Sequence, residues 1–294
     1  MTEKITPTQE DIIRVKGLGF LRDKTTENCF NGRVITRNGK ITAKEARIIA
    51  EAAERFGSGE VAMTSRMTIE IQRIPFENIE PLIAFLEKEG LETGGTGPKV
   101  RPIVSCKGTT CQYGLIDTFA LSEKIHERFY KGWHDTKLPH KFKIGVGGCP
   151  NNCVKPDLND LGIVGQRIVH IDCEKCRGCK VCQIENACPI KAANVNEGKI
   201  VISDNCNHCG RCLAKCPFGA FEEYTEGYKV YIGGRWGKQV ARGIPLSKIF
   251  ESEEEVLAVI EKALILFRDK GIASERFADT IARIGFENVE KELL

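Results

Sequence analysis

The segment Gly147-Gly-Cys-Pro-Asn-Asn-Cys153 brings two cysteines together within seven residues. Two further cysteines lie upstream, at Cys106 and Cys111. Four cysteines spaced as C-x4-C and C-x3-C indicate one [4Fe-4S] cluster, because such a cluster is held by four thiolates. The paired glycines allow a cofactor to approach the backbone, and Pro150 predicts the first turn of a helix on which both cysteines of the stretch would share a face. The alternative is two pairs of buried free cysteines.

Length and composition indicate an ordinary globular chain. Its 294 residues are enough for about two domains. Hydrophobic residues make up 41% and charged residues 28%, which is typical of a globular protein. The net charge of +3 gives no support for binding to nucleic acid or to an anionic membrane surface. The longest apolar stretch near the C-terminus, 256–267, is interrupted by Glu261 and Lys262, so we expect no membrane span.

The fourteen cysteines are the unusual feature of the composition. A disulfide scaffold would explain them, but such scaffolds are typically short and secreted. The N-terminal residues 1–17 are mostly polar and contain no apolar signal-peptide core. We therefore interpret the cysteines as metal or cluster ligands, and we expect a protein of the reducing cytoplasm.

The first third of the sequence predicts a ferredoxin-like order of elements. A strand is expected at Arg33–Thr36, and the capping box of Thr42 and Glu45 starts a helix that runs to about Phe56. The remaining elements are strands at 60–64 and 68–74, a helix at 76–89 and a short strand near 91–92. The resulting order, β-α-β-β-α-β, is ferredoxin-like and by itself indicates no function.

Residues 172–217 carry a second cysteine pattern. The segment from Cys206 to Pro217 is a complete C-x2-C-x2-C-x3-C-P run, and an earlier run that ends at Cys188-Pro189 repeats it with a longer last gap. Two such runs are typical of a two-cluster ferredoxin, in which the fourth cysteine of each run serves the other cluster. A zinc site would need paired C-x2-C knuckles instead. The expected ligand sets are Cys176, Cys179, Cys182 and Cys216 for one [4Fe-4S] cluster, and Cys206, Cys209, Cys212 and Cys188 for the other.

Several segments together resemble the sulfite and nitrite reductases that use sirohaem. These are GGCPNNC followed by DLGIVG at 147–165, LPHKFK at 138–143, TSRMT at 64–68 and FNGRVITRNGKIT at 30–42. Two positions depart from the family pattern: the first cysteine pair is usually C-x5-C, and Met67 stands where glutamine is common. The similarity extends from about Gly17 to Val289 and is greatest to small, single-repeat enzymes of the anaerobic or dissimilatory type.

The resemblance implies roles for particular residues. The cluster would be held by Cys106, Cys111, Cys149 and Cys153, and the last of these would also bridge to the sirohaem iron. The anionic substrate would be clamped by Arg33, Arg66, Lys141 and Lys143. Sirohaem would also contact Arg66, Asn151, Asn152 and Arg235. Without the family, the arginines could be surface residues, and the two lysines, which share one face of a strand, could blunt a solvated strand edge.

The expected fold class is α+β. It consists of a ferredoxin-like half-domain at 1–98, a sirohaem and [4Fe-4S] domain at 99–168 and 225–294, and a two-cluster ferredoxin domain inserted at 169–224. The insertion is expected because DLGIVG before it and YKVYIGGRWGK after it resemble consecutive pieces of one family repeat.

Three further elements and two leftover cysteines complete the prediction. We expect a strand at 100–105, a helix at 115–130 and a helix from Ser252 to about Asp269, with acidic residues in its first turn. Cys29 and Cys173 belong to no ligand set and are predicted to be small buried residues.

The implied activity is the six-electron reduction of sulfite to sulfide, with sirohaem and three [4Fe-4S] clusters as cofactors. Electrons would come from an external protein donor, because the sequence contains no nucleotide or flavin motif, and would enter through the inserted clusters. Reduction of nitrite to ammonia on the same site and a non-catalytic electron carrier are the alternatives. Each family motif occurs once, whereas larger members carry two copies around a shared sirohaem, so we expect a homodimer with two shared sites.

Overall fold

The N-terminal part of the chain builds a four-stranded antiparallel sheet with helices packed on it. The computed structural model describes residues 6–294. The first elements are α1 (Gln9–Gly17), β1 (Phe20–Arg22), β2 (Cys29–Val34), α2 (Ala43–Phe56), β3 (Val61–Met63), β4 (Ile69–Pro75) and α3 (Ile79–Lys88). The strands lie in the order β1-β2-β4-β3, and α1, α2 and α3 share one hydrophobic core with them.

Local sequence explains most of this half-domain. Thr42 and Glu45 form the predicted capping box of α2, and Gly57 ends the helix. No element was predicted at 9–22, where α1 and β1 lie; the capping box of Thr8 and Asp11 is the local signal for α1.

The strand predicted near 91–92, the last of the half-domain, is not present as a regular strand. It is reduced to a single bridge between Val34 and Thr93. Gly95, which follows with a φ of +78°, leaves the extended conformation and ends the pairing.

A five-stranded mixed sheet forms the second unit. Its strands are β5 (Val104–Ser105), β6 (Ile144–Gly147), β7 (Leu161–Val169), β10 (Tyr224–Ile232) and β11 (Ile244–Phe250), in the order β11-β10-β7-β6-β5. Strands β5, β6 and β7 run parallel, whereas β10 pairs antiparallel with both β7 and β11. The helices that share the core of this sheet are α4 (Thr118–Ile125), α6 (Glu253–Lys270), α7 (Phe277–Ile284) and α8 (Phe286–Leu293).

The predicted elements of this unit are present with shifted ends. The strand expected at 100–105 is regular only at its end, and Val100 forms an isolated bridge with Phe142. The helix expected at 115–130 starts after its N-cap, Asp117, and continues as a π-helix over His126–Lys131. Ser252 caps α6 as predicted. Within residues 6–294, the structure contains no helix that is long and apolar enough to cross a membrane.

The segment between β7 and β10 is a small unit of its own, which we call the insertion. Val169 at the end of β7 pairs with Tyr224 at the start of β10, so the chain leaves and re-enters the sheet at one point. Between them lie α5 (Gln183–Ala187) and the hairpin of β8 (Ala193–Asn196) and β9 (Lys199–Ile202). Its buried apolar residues are Ile184, Ala192, Ala193, Ile200, Ala220 and Phe221. A core of this size is typical of units that need metal to fold.

Two local predictions are wrong. Residues 149–153 form a turn rather than a helix: the Asn152 N–H donates to the Cys149 carbonyl, and the φ of +56° at Asn152 cannot continue a right-handed helix. Cys29 is buried as predicted, but Cys173 is exposed, because it lies in the loop that leads into the first cysteine run.

Candidate functional site

Cysteines and basic residues lie at opposite edges of the five-stranded sheet. Cys106 follows β5 directly and Cys149 follows β6 after one residue, whereas Lys143 precedes β6 and Asp160 precedes β7. Because the three strands are parallel, their carboxyl ends meet at one edge and their amino ends at the other. At about 3.3 Å per residue, β6 separates the two edges by roughly 13 Å. We call them the cysteine edge and the basic edge.

At the cysteine edge, the structure brings together all four thiols of the first predicted set. Burial raises the pKa of Cys149, and the thiols of Cys106, Cys153 and Cys111 lie close enough to raise it further. The Gly148 N–H donates to the Cys106 sulfur at 3.1 Å. The C-x4-C loop is one residue shorter than the family's usual C-x5-C, yet it places Cys111 beside the other three thiols. Within residues 6–294, no three His, Cys, Asp or Glu side chains are placed to hold a single metal ion. Four neighbouring thiols with a backbone N–H on one sulfur are the donor set of a [4Fe-4S] cluster.

The glycines of this edge are required by close backbone approach. A Cβ on Gly108 would lie 2.9 Å from the Gly148 Cα and 2.6 Å from the Thr118 methyl group. The two cysteine loops therefore pack directly on each other, and only glycine fits at the contact.

In the insertion, the four cysteines of one predicted ligand set are neighbours. Burial raises the pKa of Cys212 to about 11, and the neighbouring thiols of Cys209, Cys206 and Cys188 act in the same direction. These four residues, which we call the inner set, line one cavity. Cys188 comes from the first run and the other three from the second, which is the exchange that a two-cluster ferredoxin makes.

The other set of the insertion, Cys176, Cys179, Cys182 and Cys216, is called here the outer set. Three of its members pack against the small core of the insertion: Cys176, Cys182 and Cys216. The backbone N–H of Gly178 lowers the pKa of Cys176, and the Ile200 N–H donates to the same sulfur at 3.4 Å. These bonds favour a thiolate, which is the form that binds iron.

The basic edge centres on Lys143, whose ammonium group is more than half buried. Burial lowers its pKa to about 8, and the positive charges of Arg66, Arg276 and Lys141 act in the same direction. Phe142 between the two lysines is fully buried, so both lysines lie on the opposite face, as the strand pattern predicts. The pKa of Lys141 is lowered too, first by burial and then by Arg276. Cations held this close together favour binding of an anion.

Arg66 ties the half-domain to this edge. Its guanidinium donates to the Asn159 side-chain oxygen at 2.7 Å and to the Ile144 carbonyl at 3.1 Å. Its Nε is buried and, within residues 6–294, has no hydrogen-bond partner. Burial lowers the pKa of Arg66, but a guanidinium keeps its proton in proteins. The side chain thus offers a buried charge and a spare donor.

Asp160 and Arg276 form the buried support of the basic edge. One Arg276 nitrogen donates to both carboxylate oxygens, at 2.9 and 3.0 Å, and the Lys143 backbone N–H donates to the same carboxylate at 2.9 Å. Asp160 is fully buried; burial raises its pKa and the Arg276 charge opposes that rise. The sequence analysis gave neither residue a role: Asp160 opens the DLGIVG segment, but its partner Arg276 stands 116 positions away in the chain.

Arg101 is a further cation that the sequence analysis missed. Burial lowers its pKa to about 10, and Arg33 and Arg276 lie close enough to contribute. Arg101 precedes β5, the strand that leads to Cys106. This position in the sequence is the only local signal of its role at the basic edge. Arg33 itself also pairs with Glu70 at 3.1 Å. The structure therefore brings Arg33, Arg66, Lys141 and Lys143 to one edge, together with Arg101 and Arg276.

The other predicted sirohaem contacts are divided between the two edges. Arg235 pairs with Asp279 at 2.7 Å at the start of α7, and its charge helps to lower the pKa of His140 beside the lysines. Asn151 is exposed next to Cys149. Asn152 donates to the Asp157 carboxylate at 2.7 Å, and its own side-chain oxygen is buried with no partner in the described part of the chain.

The family models for "Nitrite and sulphite reductase 4Fe-4S domain" and "Nitrite/Sulfite reductase ferredoxin-like half domain" match residues 96–294 and 22–89. The chain belongs to the nitrite and sulfite reductase family. The first model covers both edges of the five-stranded sheet and the insertion, and the second covers most of the half-domain. The chain therefore contains a [4Fe-4S] domain of this family.

Similar proteins include the "Coenzyme F420-dependent sulfite reductase" of Methanocaldococcus jannaschii, which is 32% identical over 254 residues, 85% of this chain. The chain spans only 40% of the length of that protein. One component of the anaerobic sulfite reductase of Salmonella typhimurium is 28% identical over 76% of this chain and 69% of its own length. The fold matches "Crystal structure of dissimilatory sulfite reductase I (DsrI)" with a TM-score of 0.71 and 22% identity, over 90% of this chain and 68% of that chain. These similarities confirm the predicted α+β fold and the resemblance to the family.

Proposed function

We propose that the protein reduces sulfite to sulfide, with sirohaem and [4Fe-4S] clusters as cofactors. The observation that carries this proposal is the basic edge, where several cations surround the buried carboxylate of Asp160. Each cation about 4 Å from a bound anion would contribute roughly 4 kcal/mol per unit charge at an effective dielectric constant near 20. We favour sulfite over nitrite as the proposed substrate because of the extent of the similarities. Relatives named as sulfite reductases match 76% or more of this chain, whereas a relative named as a ferredoxin-nitrite reductase matches 51% of it.

The chain's own residues bind the anion and supply protons. Lys141 and Lys143 lie on one face, and a pKa of about 8 keeps Lys143 charged at neutral pH yet close to releasing its proton. Each oxygen of sulfite that leaves as water needs such protons. Sirohaem, when bound, supplies the iron at which sulfur is reduced. Cys153 would hold that iron, and the macrocycle would contact Arg66, Asn151, Asn152 and Arg235.

We place the inner set between the outer set and the cysteine edge. Cys206 lines the same cavity as Pro150, which is next to Cys149 in the chain. The guanidinium of Arg211 lies 5.2 Å from the centre of the Tyr113 ring, two residues after Cys111. Electrons would therefore enter at the outer set and pass through the inner set to the cysteine edge, and the donor would be another protein.

The separation of the two edges supports a homodimer with shared sites. The basic residues and the four cysteines of one chain lie at opposite ends of β6, so they do not face each other across one site. A second copy related by a twofold axis would bring the basic edge of one chain to the cysteine edge of the other. Each dimer would then hold two complete sites.

Mixing two inactive variants tests both the site and its sharing. A Lys143→Ala chain and a Cys153→Ser chain are each expected to lose turnover of sulfite with reduced viologen. After subunit exchange, about half of the dimers are mixed and each has one intact site, so roughly a quarter of the wild-type activity should return. No recovery, despite exchange demonstrated by mass spectrometry, would show that the sites are not shared.

The alternatives differ in measurable ways. Both reductase functions require sirohaem bands in the visible spectrum, and a non-catalytic electron carrier would lack them. Comparison of sulfite and nitrite turnover with the same donor decides between the two substrates. Iron and acid-labile sulfide should correspond to three [4Fe-4S] clusters per chain plus one sirohaem iron, because the spacing of twelve of the fourteen cysteines predicts three sets of four. We also propose that residues 169–224 form an inserted ferredoxin domain. We further propose that the protein is located in the reducing cytoplasm, which thiolate ligands favour.

A further inference from the structure

The loops of the outer set carry a concentration of exposed basic side chains. Arg177, Lys180 and Lys215 are adjacent in sequence to cysteines of this set, and all three are exposed. Within residues 6–294, none of them forms a salt bridge or a side-chain hydrogen bond. Their charges are therefore free to act on an approaching molecule.

A fourth base completes this surface. The ammonium group of Lys199 donates to the carbonyl oxygens of Cys173 and Cys176, at 2.8 and 2.9 Å, so it is held against the same loop. Lys175 does not belong to the surface, because it pairs with Asp172 at 3.3 Å. Glu174 is an exposed acidic residue among these bases.

Two apolar side chains are exposed among the bases. Val181, next to Cys182, is 67% exposed, and Phe218, two residues after Cys216, is 47% exposed. Interfaces between proteins usually combine exposed apolar side chains with charged ones. The insertion as a whole carries as many acidic as basic residues, so the positive charge is a property of this surface and not of the unit.

We propose that Arg177, Lys180, Lys199, Lys215, Val181 and Phe218 form the docking surface for an acidic one-electron carrier protein. This inference rests on the proposed entry of electrons at the outer set. In each encounter the carrier is oxidised by one electron, the outer set's cluster is reduced by one electron, and no bond or proton is transferred. Charge attraction brings the carrier to the surface, and the apolar pair excludes water at the contact.

The experiment compares two donors on the holoenzyme. The donors are a reduced plant-type [2Fe-2S] ferredoxin, which is strongly acidic, and reduced methyl viologen, a small cation that needs no docking surface. In the double variant Lys180→Glu/Lys215→Glu, ferredoxin-driven kcat/KM for the donor should fall about tenfold or more at low salt. Viologen-driven turnover and iron content should not change. Added salt should slow the wild type and have little effect on the variant, because screening removes the same attraction.

The control variant Lys24→Glu/Lys291→Glu changes the net charge equally at exposed lysines elsewhere and should lose less than about twofold. If both double variants lose ferredoxin activity equally, or neither does, the docking surface is wrong. If the first variant loses iron, Lys180→Gln/Lys215→Gln is measured instead. This variant should show a smaller decrease in ferredoxin-driven kcat/KM. An unchanged kcat/KM would overturn the proposal. Absence of viologen-driven turnover in the wild type would instead contradict the proposed function.

Discussion

The basic edge and the insertion are assembled in opposite ways. At the basic edge, residues from four distant parts of the chain are held by hydrogen bonds and a buried ion pair, as at Arg66, Asp160 and Arg276. In the insertion, the cysteines are close in sequence and six buried apolar residues, three of them alanines, support them. The chain alone therefore shapes the basic edge, whereas we expect the insertion to depend on iron for its stability.

Removal of iron is the strongest way to test this difference. We expect chelation under reducing conditions to unfold the insertion, because its apolar core is too small to stabilise it alone. Limited proteolysis followed by mass spectrometry should then show cleavage between β7 and β10 and an intact half-domain. Unchanged resistance of the insertion without iron would contradict the comparison.

Loss of the buried ion pair between Asp160 and Arg276 should have the next largest effect. Asp160→Ala leaves the charge of Arg276 buried and unpaired, which should lower the free energy of unfolding by about 3–5 kcal/mol. Glu80→Ala breaks the exposed pair with Arg14 and should cost less than about 1 kcal/mol. Urea unfolding followed by fluorescence of Trp133, which packs against the main core, measures both. Equal effects would show that the basic edge is not preorganised by this pair.

Loss of one cation at the anion site should affect activity but not structure. Lys143→Ala is expected to lower sulfite turnover by roughly 10²-fold, because one preorganised charge is removed from the position of the bound anion. Iron content and the visible spectrum should stay as in the wild type. Lys131→Ala, which removes an exposed lysine paired with Glu127, is the control. A near-normal rate of Lys143→Ala would contradict the clamp.

The smallest expected effect is a dependence on pH. The cationic form of Lys143 binds the anion, and its pKa of about 8 in the ligand-free protein means that this form is lost as pH rises through that value. KM for sulfite should therefore rise above about pH 8, whereas Lys143→Arg should remove that rise because a guanidinium stays protonated. Since sulfite itself gains a proton near neutral pH, the ratio of the two profiles is the quantity to measure. Parallel profiles would show that Lys143 does not control binding.

The local chemistry of this protein was predictable from sequence. The cysteine spacings predict the three thiol sets, and the exchange of Cys188 and Cys216 between runs follows from the ferredoxin pattern. The capping box at Thr42, the helix start at Ser252 and the alternation around Phe142 appear in the structure as predicted. Each of these signals spans only a few residues, so it can be read from the sequence without knowledge of the tertiary structure.

Only the tertiary structure decided the rest. The turn at 149–153 replaces a helix because the loop packs against Gly108 and takes a left-handed residue at Asn152. Arg276 reaches Asp160 across 116 positions, and no local pattern records that contact. The separation of cations from cysteines likewise arises from the parallel direction of β5, β6 and β7. Sequence spacing sets which groups are available, whereas strand direction and long-range packing decide which of them face each other.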